Sequence, residues 1–341
     1  MTSENLQQNA VGDHSSTLPN EMPLGKCDLA LVSSSQANQY DWSQSTGITT
    51  QKHHIAAGKQ INGSGGDVVY GLRLIKPRNS FLVPKEARWA DATRAAPSII
   101  FRTDLFSAKN KSEKRELLHN RIVTSLGLPK HKVTTSGVEL RQDDLQVWLQ
   151  ILHLARSHPL ESTILITPTS FLKEIGWNLG GKSYVRLRES ISRMVNSSVT
   201  ILNVETKHEV TLPLISSFEW VSNLTQKPLS SYKLMIPRQL EALFQEQFTW
   251  FNWDVNLQLP VGVATWLHGY YSSHKAPVPI KVESIKGASG MSTKDEKSAR
   301  QTITKALVEL QRIGFLHSFK IAKGLVHVQR ASQYREYISS R

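Results

Sequence analysis

Within residues 293–313, apolar side chains recur at helical spacing: Ala299, Ile303, Ala306, Leu307 and Leu310 make one stripe, and Lys294, Lys297, Gln301 and Lys305 fall opposite it. That spacing predicts a helix with one face packed and the other free to meet an anion. Gly314 stops it. Residues 315–321 and 325–328 then alternate around Ala322-Lys323-Gly324, the pattern of a hairpin with a basic tip. An apolar helix over residues 261–273 and a short second helix come before, so the order is helix, helix, basic helix, hairpin.

The same order occurs earlier in the chain. Residues 99–101, 105–106 and 109–120 lead to strands over 122–126 and 133–140. Asp143-Asp144 opens a helix to about residue 157 that is apolar on both sides, with Leu145, Trp148, Leu149 and Leu152 on one and Val147, Ile151 and Leu154 on the other. A strand over 163–166, a short helix over 170–175 and a turn at Gly180-Gly181 introduce a longer helix to Asn196. On that helix Leu187, Ile191, Met194 and Val195 are the buried stripe, and Lys182, Arg186 and Arg193 point away from it. Strands over 199–204 and 210–215 form a hairpin with a polar tip containing Lys207. Helix, helix, basic helix and hairpin is the order of a winged-helix domain, whose exposed helix enters a major groove. The expectation is therefore an α+β chain of two winged-helix domains in tandem, over residues 96–225 and 226–341, behind a disordered tail over 1–95. Its first 65 residues are rich in Ser, Gln, Asn, Thr and Gly. Short ordered pieces are expected at 68–74 and 79–83, with a loop through Pro97.

Charge narrows the partner. Of 341 residues, 41 are Lys or Arg against 28 Asp or Glu, a formal +13; residues 1–60 hold three against five, leaving 38 against 23, or +15, for the rest. The folded part is the basic part, which favours a polyanion. No apolar run reaches membrane-spanning length and no basic amphipathic helix lies free of a core, so nucleic acid is the better partner than a membrane surface. The single Cys27 excludes an internal disulfide framework or a Cys-rich zinc site, and the N-terminus begins no signal peptide, pointing to the cytoplasm.

Several motifs point elsewhere and do not hold. Gly176-Trp177-Asn178-Leu179-Gly180-Gly181-Lys182-Ser183 has the phosphate-loop spelling, but that loop needs a strand ending at its first Gly, and residues 170–175 read as a helix. No strand ending in an Mg²⁺-binding Asp accompanies it. Among the twelve His, His53-His54 lies in polar sequence, and His153 and His158 occupy a helix and its end. Tyr270-Tyr271 falls beside Trp266 and Leu267 on an apolar helix, not beside a general base. Phe248, Trp250, Phe251 and Trp253 are not interleaved with cations, so they read as core and not as a base-stacking platform. The reading is a binding protein without catalytic residues, metal or cofactor.

Three stretches carry a family resemblance. Ser136-Gly137-Val138-Glu139-Leu140-Arg141-Gln142-Asp143-Asp144, with Val147-Trp148 after it, resembles the start of the first winged helix of TrfA-type plasmid replication initiators. Tyr271-Ser272-Ser273-His274-Lys275-Ala276-Pro277-Val278-Pro279-Ile280-Lys281 resembles a second signature, and Leu325-Val326-His327 a third; the likeness covers residues 98–330 in order. It implies a non-enzymatic initiator that binds direct repeats (iterons) at a plasmid origin, helps open an A+T-rich segment and recruits the host initiator, helicase and sliding clamp. It also implies a dimer converted to a DNA-binding monomer, with the first winged helix serving dimerisation. The family's clamp-binding stretch is similar to Gln-Leu-x-Leu-Phe, from which Thr103-Asp104-Leu105-Phe106 departs by lacking the Gln. The rival reading is a winged-helix repressor on an inverted operator.

On this reading the DNA-facing residues are Lys182, Arg186, Arg188 and Arg193 from the first exposed helix and Lys294, Lys297, Arg300, Gln301 and Lys305 from the second. Lys207, Lys320 and Lys323 on the two wings would meet the backbone, most cations would hold phosphates, and Gln301 suits a base edge such as adenine.

Overall fold

The computed structural model describes residues 80–334 apart from 84, 86, 87, 222–224, 226 and 227. Its regular elements begin with β1 (Thr93–Pro97), α1 (Ser98–Phe101), β2 (Phe106–Ser107), β3 (Leu117–Ile122), β4 (His131–Val138) and β5 (Leu140–Arg141). Next come α2 (Gln142–Ala155), β6 (Ile164–Ile166), α3 (Pro168–Glu174), α4 (Gly181–Val195), β7 (Ser198–Asn203) and β8 (Glu209–Pro213). They are followed by β9 (Ser217–Val221), β10 (Pro228–Met235), α5 (Leu240–Glu246), β11 (Phe248–Asn252) and α6 (Trp253–Gln258). The last group is α7 (Val263–Ser272), β12 (Ile280–Lys281), α8 (Val282–Ser289), α9 (Glu296–Arg312), β13 (Leu316–Ala322) and β14 (Leu325–Arg330). The fold is mixed α+β.

The tail expected over residues 1–65, the piece at 68–74, Cys27 and His53-His54 lie outside the described residues. Packed structure begins earlier than residue 96, because Leu82, Val83 and Trp89 are buried. The loop expected through Pro97 is instead the strand β1, which pairs antiparallel with β11 from Thr93↔Asn252 to Pro97↔Phe248. Ala95, Ala96 and Pro97 carry no strand propensity of their own; a partner distant in sequence supplies it.

Two hydrophobic cores are present. The first surrounds α2, where Val147, Trp148, Leu149, Ile151 and Leu152 are buried on both sides of the helix. Over it lies the antiparallel sheet β3-β4-β7-β8. The strand expected at 122–126 is shifted to β3, an edge strand whose Leu117 and Ile122 stand 65% and 62% exposed, so its apolar residues do not mark a buried face. Strand β10, which sequence placed in the second domain, pairs with β6 and β9, and with β11 it buries Tyr232, Leu234, Phe251 and Trp253 in this first core. The second core takes in Ala108 and, from Val255 onward, fills the space among α7, α8, α9 and the sheet β12-β14-β13, with Ile285, Ala299, Ile303, Leu307, Leu310 and Val326 at its centre.

α7 joins the two cores. A methyl group on Gly269 would fall 2.5 Å from Phe101 Cδ1, so only a residue without a side chain lets α7 approach α1 this closely. Trp266 Nε1 donates to the Thr103 carbonyl at 3.0 Å, Thr265 Oγ1 to Gln142 Oε1 at 3.0 Å, and the Arg102 guanidinium to Ser273 Oγ at 2.9 Å. His268 stands edge-on between Phe251 of the first core, at 5.2 Å, and Phe315 of the second, at 4.7 Å. Its Nε2 has no hydrogen-bond partner among the described residues.

Burial pushes the His268 pKa down to about 3. His153, buried beside Arg94 and Arg156, falls to about 3, and partial burial takes His274 to about 4. Unfolded, these imidazoles take a proton near pH 6.5; folded, they refuse it until pH 3–4. Their contribution to stability is therefore complete above pH 6.5 and is lost as pH falls toward 4, by about 1.4 kcal/mol per pH unit for each histidine. Urea unfolding across pH 7.5 to 4.5 should give a smaller slope in His268→Gln than in the natural chain. Equal slopes would remove His268 from this account.

Candidate nucleic-acid interface

The last basic helix is set by its cap. Asp295 accepts the Ser298 N–H at 2.7 Å, and that bond holds the exposed carboxyl below the usual range and starts α9 at Glu296. Lys294 thus precedes the helix, one residue outside the cap, although sequence placed it on the helical face. From α9, Lys297, Arg300, Gln301 and Lys305 are exposed, opposite the buried Ala299, Ile303, Ala306, Leu307 and Leu310. Arg300 reaches the Ile321 carbonyl of β13 at 3.3 Å. The hairpin tip meets the same end of the helix: a methyl on Gly324 would stand 3.9 Å from Glu296 Oε1, and Val282 N–H donates to the Gly324 carbonyl at 2.9 Å. The N-terminal half of α9 and Lys323 at the tip therefore form one surface. Lys294, Lys297, Lys305, Lys320 and Lys323 are all exposed, and none has an acidic partner among the described residues.

The first basic helix is less free than its periodicity suggested. Lys182 is exposed, as is Lys207 at the tip between β7 and β8. Arg186 lies 3.9 Å over the Trp177 ring and 3.0 Å from Asp143 Oδ2, keeping 41% of its side chain in solvent. Arg188 stacks on Trp220 at 4.6 Å and bonds Tyr232 Oη at 3.4 Å. Arg193 does not point away from the core: its Nη2 is 2.7 Å from Asp144 Oδ1, a carboxylate with no exposed surface. Both hairpin-tip lysines have left-handed backbones, Lys207 at φ 59° and Lys323 at φ 50°.

Asp144 organises this end of the protein. It accepts the Arg141 N–H, which closes the first turn of α2, and also bonds Arg115 Nη1 at 2.7 Å, Ser190 Oγ at 2.7 Å and Arg193. Asp143 beside it takes Arg115 Nη2 at 3.0 Å and Arg186. Burial alone would raise the Asp143 carboxyl, but the two guanidiniums hold it below the usual carboxylate range. Sequence reading assigned no role to Arg115, Asp143 and Asp144 as a group; the adjacent acids at a helix start were the available signal, and their partners lie dozens of residues away.

The phosphate-loop spelling folds as a helix end. Gly176 has φ 70° and follows α3, with its N–H on the Lys173 carbonyl and that of Trp177 on the Leu172 carbonyl. Ser183 Oγ is bonded to Asn178 Oδ1. Leu105 and Phe106, in the stretch compared with a clamp-binding sequence, are buried, and Asp104 pairs with Arg121 at 2.7 Å. Phe251 and Trp253 are core residues, and Phe248 and Trp250 pack against them. Among the described residues no three His, Cys, Asp or Glu side chains gather as metal ligands, and no helix is long and apolar enough to cross a membrane. A cleft of about 990 Å³ opens beside both basic helices, lined by Arg186 from α4, Lys305 from α9 and residues of the loop after β2.

Residues 78–330 match the family described as TrfA protein. A relative, the plasmid replication initiator protein TrfA of Escherichia coli, is 29% identical over 246 residues, 72% of this chain and 63% of that protein, so the chain spans less than two thirds of the relative's length. Among solved structures, RctB domains 2–3 align at 13% identity with a TM-score of 0.47, covering 70% of this chain and 98% of that one. The Pi initiator protein in complex with iteron DNA aligns at 14% identity with a TM-score of 0.41, covering 55% and 91%.

Removing the buried carboxylate tests the network that holds α4. Asp144→Ala leaves Arg193 without its buried partner and Arg115 with Asp143 alone, and breaking such a buried pair costs about 3–5 kcal/mol. The loss is read as a lowered urea midpoint at unchanged slope. A change under about 1 kcal/mol would mean that the pair does not hold α4 in place.

Proposed function

The chain belongs to the TrfA family, and from that premise we propose that it is a plasmid replication initiator acting in the bacterial cytoplasm, where it binds direct repeats in duplex DNA. The observation that carries this reading is the single surface made by the N-terminal half of α9 and the β13–β14 tip, which gathers Lys297, Arg300, Gln301 and Lys323 with no acid paired to the lysines among the described residues. On this reading α7, α8, α9 and the β13–β14 hairpin are one winged helix, and α2, α3, α4 and the β7–β8 hairpin are another.

α9 enters a major groove. Lys294, Lys297, Arg300, Lys305, Lys320 and Lys323 hold phosphates and set the register, and Gln301, whose amide both donates and accepts, reads an adenine edge. α4 enters the next groove through Lys182 and the exposed part of Arg186, with Lys207 on the backbone. Arg188 and Arg193 orient the helix through Trp220 and Asp144 and act on DNA only through it. Binding to several repeats would then favour opening of an adjacent A+T-rich segment and bring in the host initiator and helicase. The sliding clamp is a less direct partner, since Leu105 and Phe106 are packed inside. A dimer that gives way to a DNA-binding monomer belongs to the same proposal.

Two substitutions separate the roles. Lys323→Ala should weaken binding to the repeats and to scrambled duplex alike and lower the salt slope by about one, whereas Gln301→Ala should cost about 1–3 kcal/mol on the repeats alone. Fluorescence anisotropy at two or more salt concentrations, without nucleotide, measures both. Binding confined to an inverted repeat by a stable dimer would favour a repressor, and absence of any specific binding would end the initiator reading.

A further inference from the structure

The loop over residues 109–114, Lys-Asn-Lys-Ser-Glu-Lys, lines the cleft that Arg186 of α4 and Lys305 of α9 also border, and it is held in an unusual way. Arg141, itself buried, donates to the carbonyls of Asn110 at 2.7 Å, Glu113 at 2.9 Å and Lys114 at 3.0 Å, while Glu139 balances its charge at 2.8 Å. Glu113 accepts the Asn110 N–H at 3.1 Å and Ser292 Oγ at 2.7 Å, which ties the loop to the segment leading into α9. Lys109 is engaged by Glu116 and Glu139. Lys111 and Lys114 are exposed, with no acidic partner among the described residues, and Lys111 lines the cleft that Arg186 and Lys305 also border.

A buried guanidinium spent on three carbonyls of an exposed loop fixes the shape of that loop before any ligand arrives. A contact made by a fixed loop loses little further entropy on binding. Two helices of one chain that enter successive major grooves have a minor groove between them, about 6 Å wide, across which the phosphates of both strands lie close together. That is a strongly negative place, suited to unpaired cations such as Lys111 and Lys114.

We infer that the loop Lys109–Lys114 is a third DNA-binding element, with Lys111 and Lys114 on the phosphates that border the minor groove between the two helix contacts. This rests on the reading of α4 and α9 as groove-entering helices.

The test uses the full chain with Cys27→Ser and Ser112→Cys, carrying an iron chelate on the new thiol, bound to duplex repeats. Hydroxyl radicals released there should cut both strands in one minor-groove cluster, midway between the two stretches that the protein shields in the major groove. In parallel, Lys111→Ala with Lys114→Ala should lower the salt slope by about two, equally on repeat and scrambled DNA. Repeat binding with cuts only at the outer flanks, or none, or with an unchanged slope, would overturn the loop contact and leave the initiator reading standing. Failure of the unlabelled natural chain to bind repeats would overturn both.

Discussion

A carboxylate withdrawn from water must be surrounded by donors, and Asp144 meets that requirement with four groups from three places in the chain. The Arg141 N–H, Arg115, Ser190 and Arg193 converge on its two oxygens. The demand of one buried charge thereby fixes the start of α2, the strand β3 approach through Arg115, and the pitch of α4. Asp143 extends the arrangement outward to Arg186, where the network reaches solvent. Loss of the charge would leave the Arg193 guanidinium unpaired, so the site is better described as a lock on geometry than as a source of net stability.

A second constraint passes through α7. Its residues on one side belong to the second core, while Gly269, Trp266 and Thr265 are fitted to Phe101, Thr103 and Gln142 of the first. His268, uncharged between Phe251 and Phe315, is common to both. The two cores are consequently joined by packed side chains as well as by the chain itself.

Much of this was legible from short-range pattern. The stripe on α9, the hairpin around Lys323-Gly324 and the all-round apolar α2 follow from periods of 3.6 and 2, which local sequence encodes. Other parts depend on partners far along the chain and left no local trace. Strand β1 is a run of Ala-Ala-Pro that becomes a strand only against β11. β3 exposes its apolar residues and so breaks the alternation a reader looks for. Arg193 has the helical phase of a solvent-facing residue, and only the fold reveals Asp144 beside it. Lys294 fell outside α9 because the capping bond of Asp295, not the apolar stripe, sets where the helix begins. The signature residues Glu139, Arg141, Asp143 and Asp144 were recognisable as a string; their physical meaning, a buried charge network, required the coordinates.

The left-handed backbones of Lys207 and Lys323 put strain at the tips of both hairpins. A side chain in that conformation costs on the order of 1 kcal/mol, a cost that Gly escapes and Asn partly escapes. Gly at either tip would relieve that cost and give a sturdier hairpin. Asn120 and Glu161 carry the same backbone strain away from either tip, so the chain accepts this cost in several turns.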